Sequence, residues 1–410
     1  MLFHPAWACP TIVTATPSHL SFDTARVAIV HQDGRTTFSV SVNPLGDRQT
    51  FALVLPVPEV LAKDEVRTLD GEIFQRLDLY TSPRRVSDAG CPYESDADAD
   101  TDSDTDYDGG GGSDAGVEVE ATYLVGEYEV NILSAEESTG LEAWLDANGY
   151  NLPEGAGPRL DEYIDAGSYF LAARVADEAV AANGSALSPL QVSYESPVFS
   201  IPIRLATLNS PGEQDMVIYT VNSETEGRVG ISNYPEFRVP DGCRWGDPAE
   251  RDFSAFYDDQ FSEAWDAVGD AGWAVEFAGI GGGCTPCTGV IPTAEDLQDL
   301  GYDGDFGTYY LTRIHMRYTP EQADQDLTLY TSGIHTSRSQ SYSDDLPWNE
   351  CLDACGETAD STPKRAVRDG ACGCSDGGSA GAFLIALAFR RRLSPATPPG
   401  RSRGAAPRGG

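Results

Sequence analysis

Alternating apolar and polar positions predict β-strands in the first part of this chain. Residues 25–30 and 37–42 alternate with a period of two, and the Asp33-Gly34 pair between them favours a tight hairpin, because the primed turns need positive φ. A third strand is predicted at Phe51–Leu55, and Pro56-Val-Pro58 should close it, since proline has no N–H to donate to a ladder. The start of the chain therefore predicts antiparallel sheet.

Apolar residues at helical spacing occur between further strands along the rest of the chain. In residues 252–268 the aromatic side chains recur at helical spacing, which is typical of a helix that packs on a core rather than of a ligand-binding box. Together the elements predict an α+β fold of mostly antiparallel sheets with a few amphipathic helices. The other predicted elements are a helix over Leu69–Tyr80, an alternating run over Val117–Leu133, a helix capped by Ser138 and Thr139, a helix at Leu160–Ile164, strands at Tyr169–Val175 and Met216–Val221, broken strands between Val192 and Leu205, a strand at Trp273–Phe277, a short helix at Asp296–Leu300, and strands at Thr308–Tyr318 and Asp326–Tyr330.

An acidic segment over residues 95–116 interrupts this pattern. Aspartate occupies every second position in its first half and glycines follow, so self-repulsion and the lack of apolar surface predict a disordered insertion. The alternative is a weak calcium site, because alternating carboxylates match the first half of a calcium loop. Ala115 stands where such a loop places its bidentate glutamate, which counts against this site. The candidate ligands are Asp102, Asp104, Asp106 and Asp108.

The whole chain is strongly acidic. Its 410 residues carry 65 Asp and Glu against 27 Lys and Arg, which gives a net charge of −38. Such an excess repels phosphate groups, so direct binding to nucleic acid or to an anionic membrane surface is excluded as a function. Hydrophobic residues make up 40% of the chain, which is enough to form a substantial core.

Nine cysteines are more than a cytosolic protein usually carries without a metal site or a redox function. The Cys-x-x-Cys spacing at Cys284 and Cys287 leaves open a thioredoxin-like redox pair, or a structural zinc site with Cys351 and Cys355 as the second pair. We expect disulfides instead, with Cys9–Cys91 and Cys284–Cys287 as the first pairings to test. The candidate disulfide cysteines are Cys9, Cys91, Cys243, Cys284, Cys287, Cys351, Cys355 and Cys372.

Disulfide bonds require export, and the N-terminus matches the end of an export signal. Ala6-Trp-Ala8 directly before Cys9 fits a signal-peptidase pattern, although residues 1–8 are too few to hold a basic and an apolar region. We interpret residues 1–8 as the remnant of a signal peptide whose true start codon lies upstream of Met1. An apolar N-terminus by chance is the alternative.

The C-terminal region has the order of a sorting signal. Cys374 (or Cys372) precedes an apolar run at residues 383–389, and Arg390, Arg391 and Arg392 follow. The apolar run can enter a bilayer while the arginines stay on the cytoplasmic side. This order resembles the myxobacterial C-terminal sorting signal, although residues 393–410 extend beyond the point where such signals usually end. The resemblance implies cleavage by a membrane protease near Cys374 and anchoring at the cell surface.

The body of the chain resembles the bacterial domain-of-unknown-function family 2330. The residues that carry this resemblance are Cys9 with the hairpin and Phe51–Pro58, then Leu141–Tyr150 with Leu152-Pro153 and Tyr169–Ala172, then Cys284-Thr-Pro-Cys287 with Asp296–Gly301, and last Tyr309–Tyr318 with Asp326–Leu329. The resemblance implies an exported α+β protein with no established activity and no cofactor. It supplies no catalytic residues.

The sequence shows no recognisable catalytic motif. No Gly-x-Ser-x-Gly sequence stands as an elbow between a predicted strand and a predicted helix, and neither a His-Glu-x-x-His pair nor a phosphate loop occurs. His31 and His315 lie on predicted strands, where a satisfied or solvent-facing imidazole is the ordinary role. We therefore name no catalytic residue, and no cofactor other than the calcium alternative.

These observations predict an exported, surface-anchored binding or structural module of the cell envelope. Its expected partners are the export machinery and the C-terminal processing protease; nucleic acid is not expected, the membrane is met only through the C-terminal segment, and the ligand is unknown. The alternatives are an extracellular hydrolase or thiol oxidoreductase without a recognisable motif, and a calcium-dependent adhesin. The predicted divisions are the signal remnant 1–8, a first α+β unit 9–94, the acidic insertion 95–116, the remaining α+β region 117–355, a stalk 356–376, the sorting segment 377–392 and a disordered tail 393–410.

Overall fold

Two β-sheets, of eight and five strands, form the centre of the fold. The computed structural model describes residues 11–14, 21–22, 25–41, 44–45, 51–86, 117–148, 152, 155–175, 187–209, 212–241, 252–281 and 291–343. The chain divides into two units, Met1–Arg365 and Ala366–Gly410, and every described residue lies in the first. None of the helices in these ranges has both the length and the apolar character needed to cross a membrane.

The described strands are numbered in chain order. They are β1 (Thr11–Thr14), β2 (Ser21–Phe22), β3 (Ala25–Gln32), β4 (Arg35–Ser41), β5 (Pro44–Leu45), β6 (Phe51–Val57), β7 (Val66–Thr68), β8 (Arg84–Val86), β9 (Val117–Val125), β10 (Tyr128–Ala135), β11 (Tyr169–Val175), β12 (Leu190–Glu195), β13 (Ser200–Ile201), β14 (Gln214–Ser223), β15 (Val229–Ile231), β16 (Gly272–Ile280), β17 (Tyr309–Tyr318), β18 (Leu327–Thr331), β19 (Arg338–Ser339) and β20 (Ser341–Ser343).

Five α-helices and three short 3-10 helices lie in the described ranges. The α-helices are α1 (Glu72–Thr81), α2 (Ser138–Ala147), α3 (Ala156–Asp165), α4 (Phe253–Asp266) and α5 (Ala294–Asp299). The 3-10 helices are Lys63–Glu65, Ala206–Asn209 and Glu224–Glu226.

The two large sheets are almost entirely antiparallel. The eight-stranded sheet has the order β19-β16-β17-β14-β3-β4-β12-β7, and the five-stranded sheet has the order β1-β6-β11-β10-β9. Within the larger sheet β3 and β14 are the one parallel pair between described strands. The prediction of an α+β fold with mostly antiparallel sheets is therefore confirmed. The cysteines proposed to staple it lie outside the described residues.

The two sheets share one apolar core, and helices cover their outer faces. Val27 of β3 and Leu55 of β6 both belong to this core, as do many other alternate residues of both sheets. On the outer face of the larger sheet α1 and α5 cover one apolar cluster and α4 covers another, while α2 and α3 cover the outer face of the smaller sheet. The result is a four-layer arrangement of helices, sheet, sheet and helices.

The predicted hairpin is confirmed in detail. Asp33 and Gly34 have φ values of 51° and 81°, which a primed turn requires. Gln32 of β3 pairs with Arg35 of β4, and the register continues to Arg26 and Ser41. The turn residues therefore fix which side chains of β3 face the core, because a slip of one position would reverse the faces.

Three local predictions need correction. The third strand, predicted over Phe51–Leu55, extends to Val57, so β6 includes Pro56 and ends directly before Pro58. Among the described residues, β6 pairs with β1 over Phe51–Val54 and with β11 over Ala52–Val57. The alternating run from Val117 folds as two strands joined at Gly126, which has a φ of 52°. Helix α2 has Glu137 rather than Ser138 or Thr139 at its N-cap.

Candidate functional site

A row of cations lies on the helix-covered face of strand β17. Because side chains alternate along a strand, Arg313, His315 and Arg317 share one face while Ile314 and Met316 enter the core between the sheets. The strand lies between β14 and β16, so both of its neighbours are central strands as well. Three cations on one buried face need acidic partners from these neighbours or from the covering helices.

Strand β14 supplies the first acidic partner, Asp215. In the antiparallel register Asp215 lies opposite Arg317, on the same face of the sheet. Its carboxylate is fully buried and accepts hydrogen bonds from Nε and from one terminal nitrogen of Arg317, both at 2.6 Å. This fork-to-fork geometry is the strongest form of an arginine–carboxylate pair.

Strand β16 supplies the second acidic partner, Glu276, through a β-bulge. Val275 pairs with Ile314 and Phe277 pairs with Arg313, so Glu276 is an extra residue without a partner position on β17. The bulge lets Glu276 and Phe277 face the helices in succession, because it breaks the alternation. A buried carboxylate is thereby directed between Arg313 and His315.

His315 lies between the two carboxylates. Its Nδ1 is 2.8 Å from Oε1 of Glu276, and its Nε2 is 3.1 Å from Oδ1 of Asp215 in a less well-aligned contact. Burial alone would lower the pKa of His315, but the two facing carboxylates outweigh it and raise this pKa to about 9. The imidazole is therefore protonated and positively charged at neutral pH.

Arg313 extends the network towards helix α1. Its Nε contacts Oε2 of Glu276 at 2.5 Å, and its terminal nitrogen donates to Asp78 of α1 and, at 2.8 Å, to the hydroxyl of Tyr219. Tyr219 donates in turn to Asp78 at 3.0 Å, and Arg26 of β3 lies 3.4 Å from the same carboxylate. Helix α1 is thus tied to three strands of the sheet.

Arg317 extends the network towards helix α4. Its terminal nitrogens donate to Ser262 at 2.7 Å and to Asp258 at 3.1 Å, while its guanidinium lies over the rings of Phe261 and Trp265 at 4.9 and 5.8 Å. These contacts come from successive turns of the inner face of α4. The helix is therefore held by the charged network as well as by its apolar residues.

The two most deeply buried carboxylates of the network are Asp215 and Glu276. Burial would raise the pKa of Asp215 and of Glu276, but the facing His315, Arg313 and Arg317 outweigh it and lower both pKa values. Both carboxylates are therefore ionised at neutral pH. The cations are Arg26, Arg313, His315 and Arg317, and the carboxylates are Asp78, Asp215, Glu276 and Asp258.

The chemistry of these groups favours a structural role. A protonated His315 has no lone pair with which to accept a proton, and both adjacent carboxylates are already paired with cations. Among the described residues, no group of three or more His, Cys, Asp or Glu side chains is arranged to hold a metal ion. The arrangement binds helices α1 and α4 to the larger sheet.

The candidate site residues named from the sequence are not among the described residues. All nine cysteines, the aspartates at positions 102 to 108 and the three arginines of the tail are outside the described residues. His31 is on strand β3 as predicted, where its Nδ1 is 2.8 Å from Oγ1 of Thr36 and its ring stacks on Phe199. Burial lowers the pKa of His31, so it is neutral at physiological pH.

Sequence reasoning placed His315 on a strand but missed its partners. The signal was present: Arg-Ile-His-Met-Arg puts charge on one face of an otherwise apolar strand, and Asp215 and Glu276 each stand next to buried apolar runs. The cross-strand pairing that joins them was not readable from the pattern. The bulge at Glu276 was equally hidden.

Comparison with known proteins identifies a family match and nothing closer. The model of DUF2330, described as an uncharacterised protein conserved in bacteria, matches residues 4–330. This span includes the residues of the charged network and strands β14, β16 and β17. No curated protein and no solved structure matches the chain significantly.

Proposed function

The chain belongs to the DUF2330 family of bacterial proteins, and we propose that it is an exported, surface-anchored binding or structural module of the cell envelope rather than an enzyme. The observation that carries the non-enzymatic part is the internal pairing of the charged network. Catalytic acids and bases must reach a substrate, whereas His315, Asp215 and Glu276 are buried and paired with one another.

Export and anchoring are supported by the sequence features at both ends. The cleavage pattern before Cys9 and the number of cysteines support passage into an oxidising compartment. The apolar run followed by Arg390, Arg391 and Arg392 supports a membrane-processed sorting segment at the C-terminus. In this proposal the disulfides and the charged network keep the domain folded outside the cell, and the acidic surface keeps it soluble and attracts cations.

The test is the intact mass of the native protein recovered from the cell-surface fraction, measured with and without reductant. We expect a mass below the 43.9 kDa of the whole chain, an N-terminus at Cys9, a C-terminus near Cys374, and a gain of two hydrogens per bridge on reduction. Recovery from the cytosol with both ends intact and every thiol free would refute export and anchoring together.

A pair of variants tests the processing site. Cys374→Ser should leave the C-terminal segment attached and shift the protein from the surface to the membrane in which processing occurs. Cys372→Ser is the matched control, because it removes a thiol two positions away. If both variants are processed like the native protein, neither cysteine directs cleavage and the sorting proposal fails.

Two assays address the alternatives. Catalysed reduction of a disulfide-bonded protein that is lost in Cys284→Ser would favour the thiol oxidoreductase, because the first cysteine of a Cys-x-x-Cys pair is the attacking thiol. A calcium-induced rise in melting temperature that is lost when residues 96–108 are deleted would favour the adhesin. The binding or structural proposal expects neither result.

A further inference from the structure

Residues 338–343 form a short extended segment at the end of the described fold, which we call the strap. It contains β19 and β20 and lies beyond residue 330, where the family match ends. Strand β19 pairs with the edge of β16, and the backbone N–H of Gln340 donates to the carbonyl of Glu276 at 2.9 Å. Strand β20 then pairs in parallel with β8. The strap therefore covers the edge of the larger sheet beside the bulge.

Tyr342 of the strap fills an aromatic pocket on helix α4. It is fully buried, and its hydroxyl donates to the carbonyl of Pro240 at 2.5 Å and accepts from Nε2 of Gln340 at 2.8 Å. The three rings around it are those of Phe253, Phe256 and Tyr257, whose centroids lie 5.8, 5.1 and 6.1 Å from that of Tyr342. The pocket thus has apolar walls and a polar end, which together suit a tyrosine side chain.

The strap binds the rest of the fold through alternate side chains. Nε of Arg338 donates to the carbonyl of Val275 at 2.6 Å, and Nε2 of Gln340 donates to the carbonyl of Pro240 at 2.7 Å. Because side chains alternate along an extended segment, Arg338, Gln340 and Tyr342 all turn towards the fold. The surface under the strap is therefore complementary to the pattern Arg-x-Gln-x-Tyr.

Detachment of the strap breaks no other ladder among the described strands. Strand β19 is the outermost strand of the larger sheet, β20 pairs with β8 alone, and residues 335–337 directly before the strap are exposed. Phe256 forms a small buried cluster with Tyr342, whereas Phe261 and Trp265 belong to a separate cluster under α4. A detached strap therefore opens the pocket and leaves α4 on the sheet.

We propose that the strap is exchanged between copies of this chain, so that Tyr342 of one copy fills the α4 pocket of its neighbour. All copies carry the same strap, so an exchanged strap makes the same contacts and needs no further interface. Reciprocal exchange joins two copies, and successive exchange joins many. The exchange rests on the proposed surface anchoring, because copies held on one surface have a high effective concentration.

Complementation between two full-length variants tests this exchange. Y342A combines a defective strap with an intact pocket, and F256A combines an intact strap with a defective pocket. In a mixture the strap of F256A should fill the pocket of Y342A and give a heterodimer. Its dissociation constant should be about 100-fold lower than that of either variant with itself, because each variant alone lacks one half of the contact.

Size-exclusion chromatography with light scattering measures the mass of these complexes. The control is the double variant Y342A/F256A mixed with Y342A, which contains no intact strap and should stay monomeric. Absence of a heterodimer from the first mixture, or equal dimerisation in the control, would overturn the proposal.

A fluorescent peptide of residues 336–343 gives a second test that requires no folded variant. It should bind the wild-type chain in competition with the chain's own strap, and the same peptide with Tyr342→Ala should bind about 100-fold more weakly. No binding, or equal binding of the two peptides, would show that the pocket does not accept a strap from another molecule. Both tests are made in solution, so their failure leaves the anchoring proposal standing, and recovery of the native protein from the cytosol leaves the exchange standing.

Discussion

Removing the buried negative charge of Asp215 should show how much the charged network contributes to the free energy of unfolding. Asp215→Asn keeps the size of the side chain but removes its charge and replaces one acceptor oxygen by a donor NH₂ group. Arg317 then loses one of two hydrogen bonds of 2.6 Å, and His315 loses one of its two facing carboxylates. The buried cations Arg317 and His315 then each have one fewer negatively charged partner.

The magnitude follows from burial. Breaking a buried ion pair by removing one partner costs about 3–5 kcal/mol. Arg317 retains Asp258 and His315 retains Glu276, so we expect the lower end, about 3 kcal/mol. For a domain of this size that corresponds to a fall of about 6 °C in melting temperature.

The matched control is Asp258→Asn, which removes the outer carboxylate of the same guanidinium. The side chain of Asp258 is 56% exposed, whereas that of Asp215 is 0% exposed. Solvent screens the exposed pair, so this variant should cost less than about 1 kcal/mol. Thermal and urea unfolding at about pH 7, followed by circular dichroism, measure both variants.

Comparing the unfolding free energies of the two variants tests whether the buried network stabilises the domain. If Asp215→Asn unfolds no more readily than Asp258→Asn, the buried network does not stabilise the domain, and our structural interpretation of it is wrong. If both variants are strongly destabilised, the ion pair between Asp258 and Arg317 stabilises the fold more than the exposure of Asp258 predicts.

Two further predictions concern a glycine and the acid limb of the stability profile. Gly301→Ala should lower the free energy of unfolding by about 3 kcal/mol, because φ is +91° and the new Cβ would lie 2.6 Å from Oγ1 of Thr37. The control Gly269→Ala, with φ of +73° and open space around it, should lower it by about 1 kcal/mol. Equal melting temperatures of the two variants would contradict this prediction. The lowered pKa values of Asp215 and Glu276 should stabilise the fold above their ordinary values of 3.8 and 4.5, and this contribution should disappear as the pH falls through the values in the folded state. The urea midpoint should therefore drop between about pH 5 and about pH 3, and the drop should shrink in Glu276→Gln.

The sequence pattern was informative wherever structure depends on near neighbours. The Asp33-Gly34 turn and the amphipathic helices α1 and α4 follow from residues a few positions apart, and all three were predicted correctly. The predicted strand at Phe51–Leu55 was two residues too short, because the pairing of Pro56 and Val57 depends on the distant strand β11. Local periodicity contains no information about such partners.

The partners of His315 in the candidate site could not be predicted from local sequence patterns either. With 65 Asp and Glu in the chain, no pattern indicates that Asp215 and Glu276 are the two that face His315. Their meeting depends on the register of β14 and on a one-residue bulge in β16, and both are set by the whole sheet. An unpaired row of charge on an apolar strand could nevertheless have indicated that buried partners must exist.

The position of strand β17 has a consequence for biosynthesis. It lies between β14 and β16, and β14 in turn is the neighbour of the early hairpin. The ribosome must therefore release Tyr309–Tyr318 before the middle of the larger sheet can close, and until then β14 and β16 present bare edges that invite wrong pairing. A polypeptide built in this order gains little by folding as it emerges, and any truncation before Tyr318 should yield aggregates rather than a smaller domain.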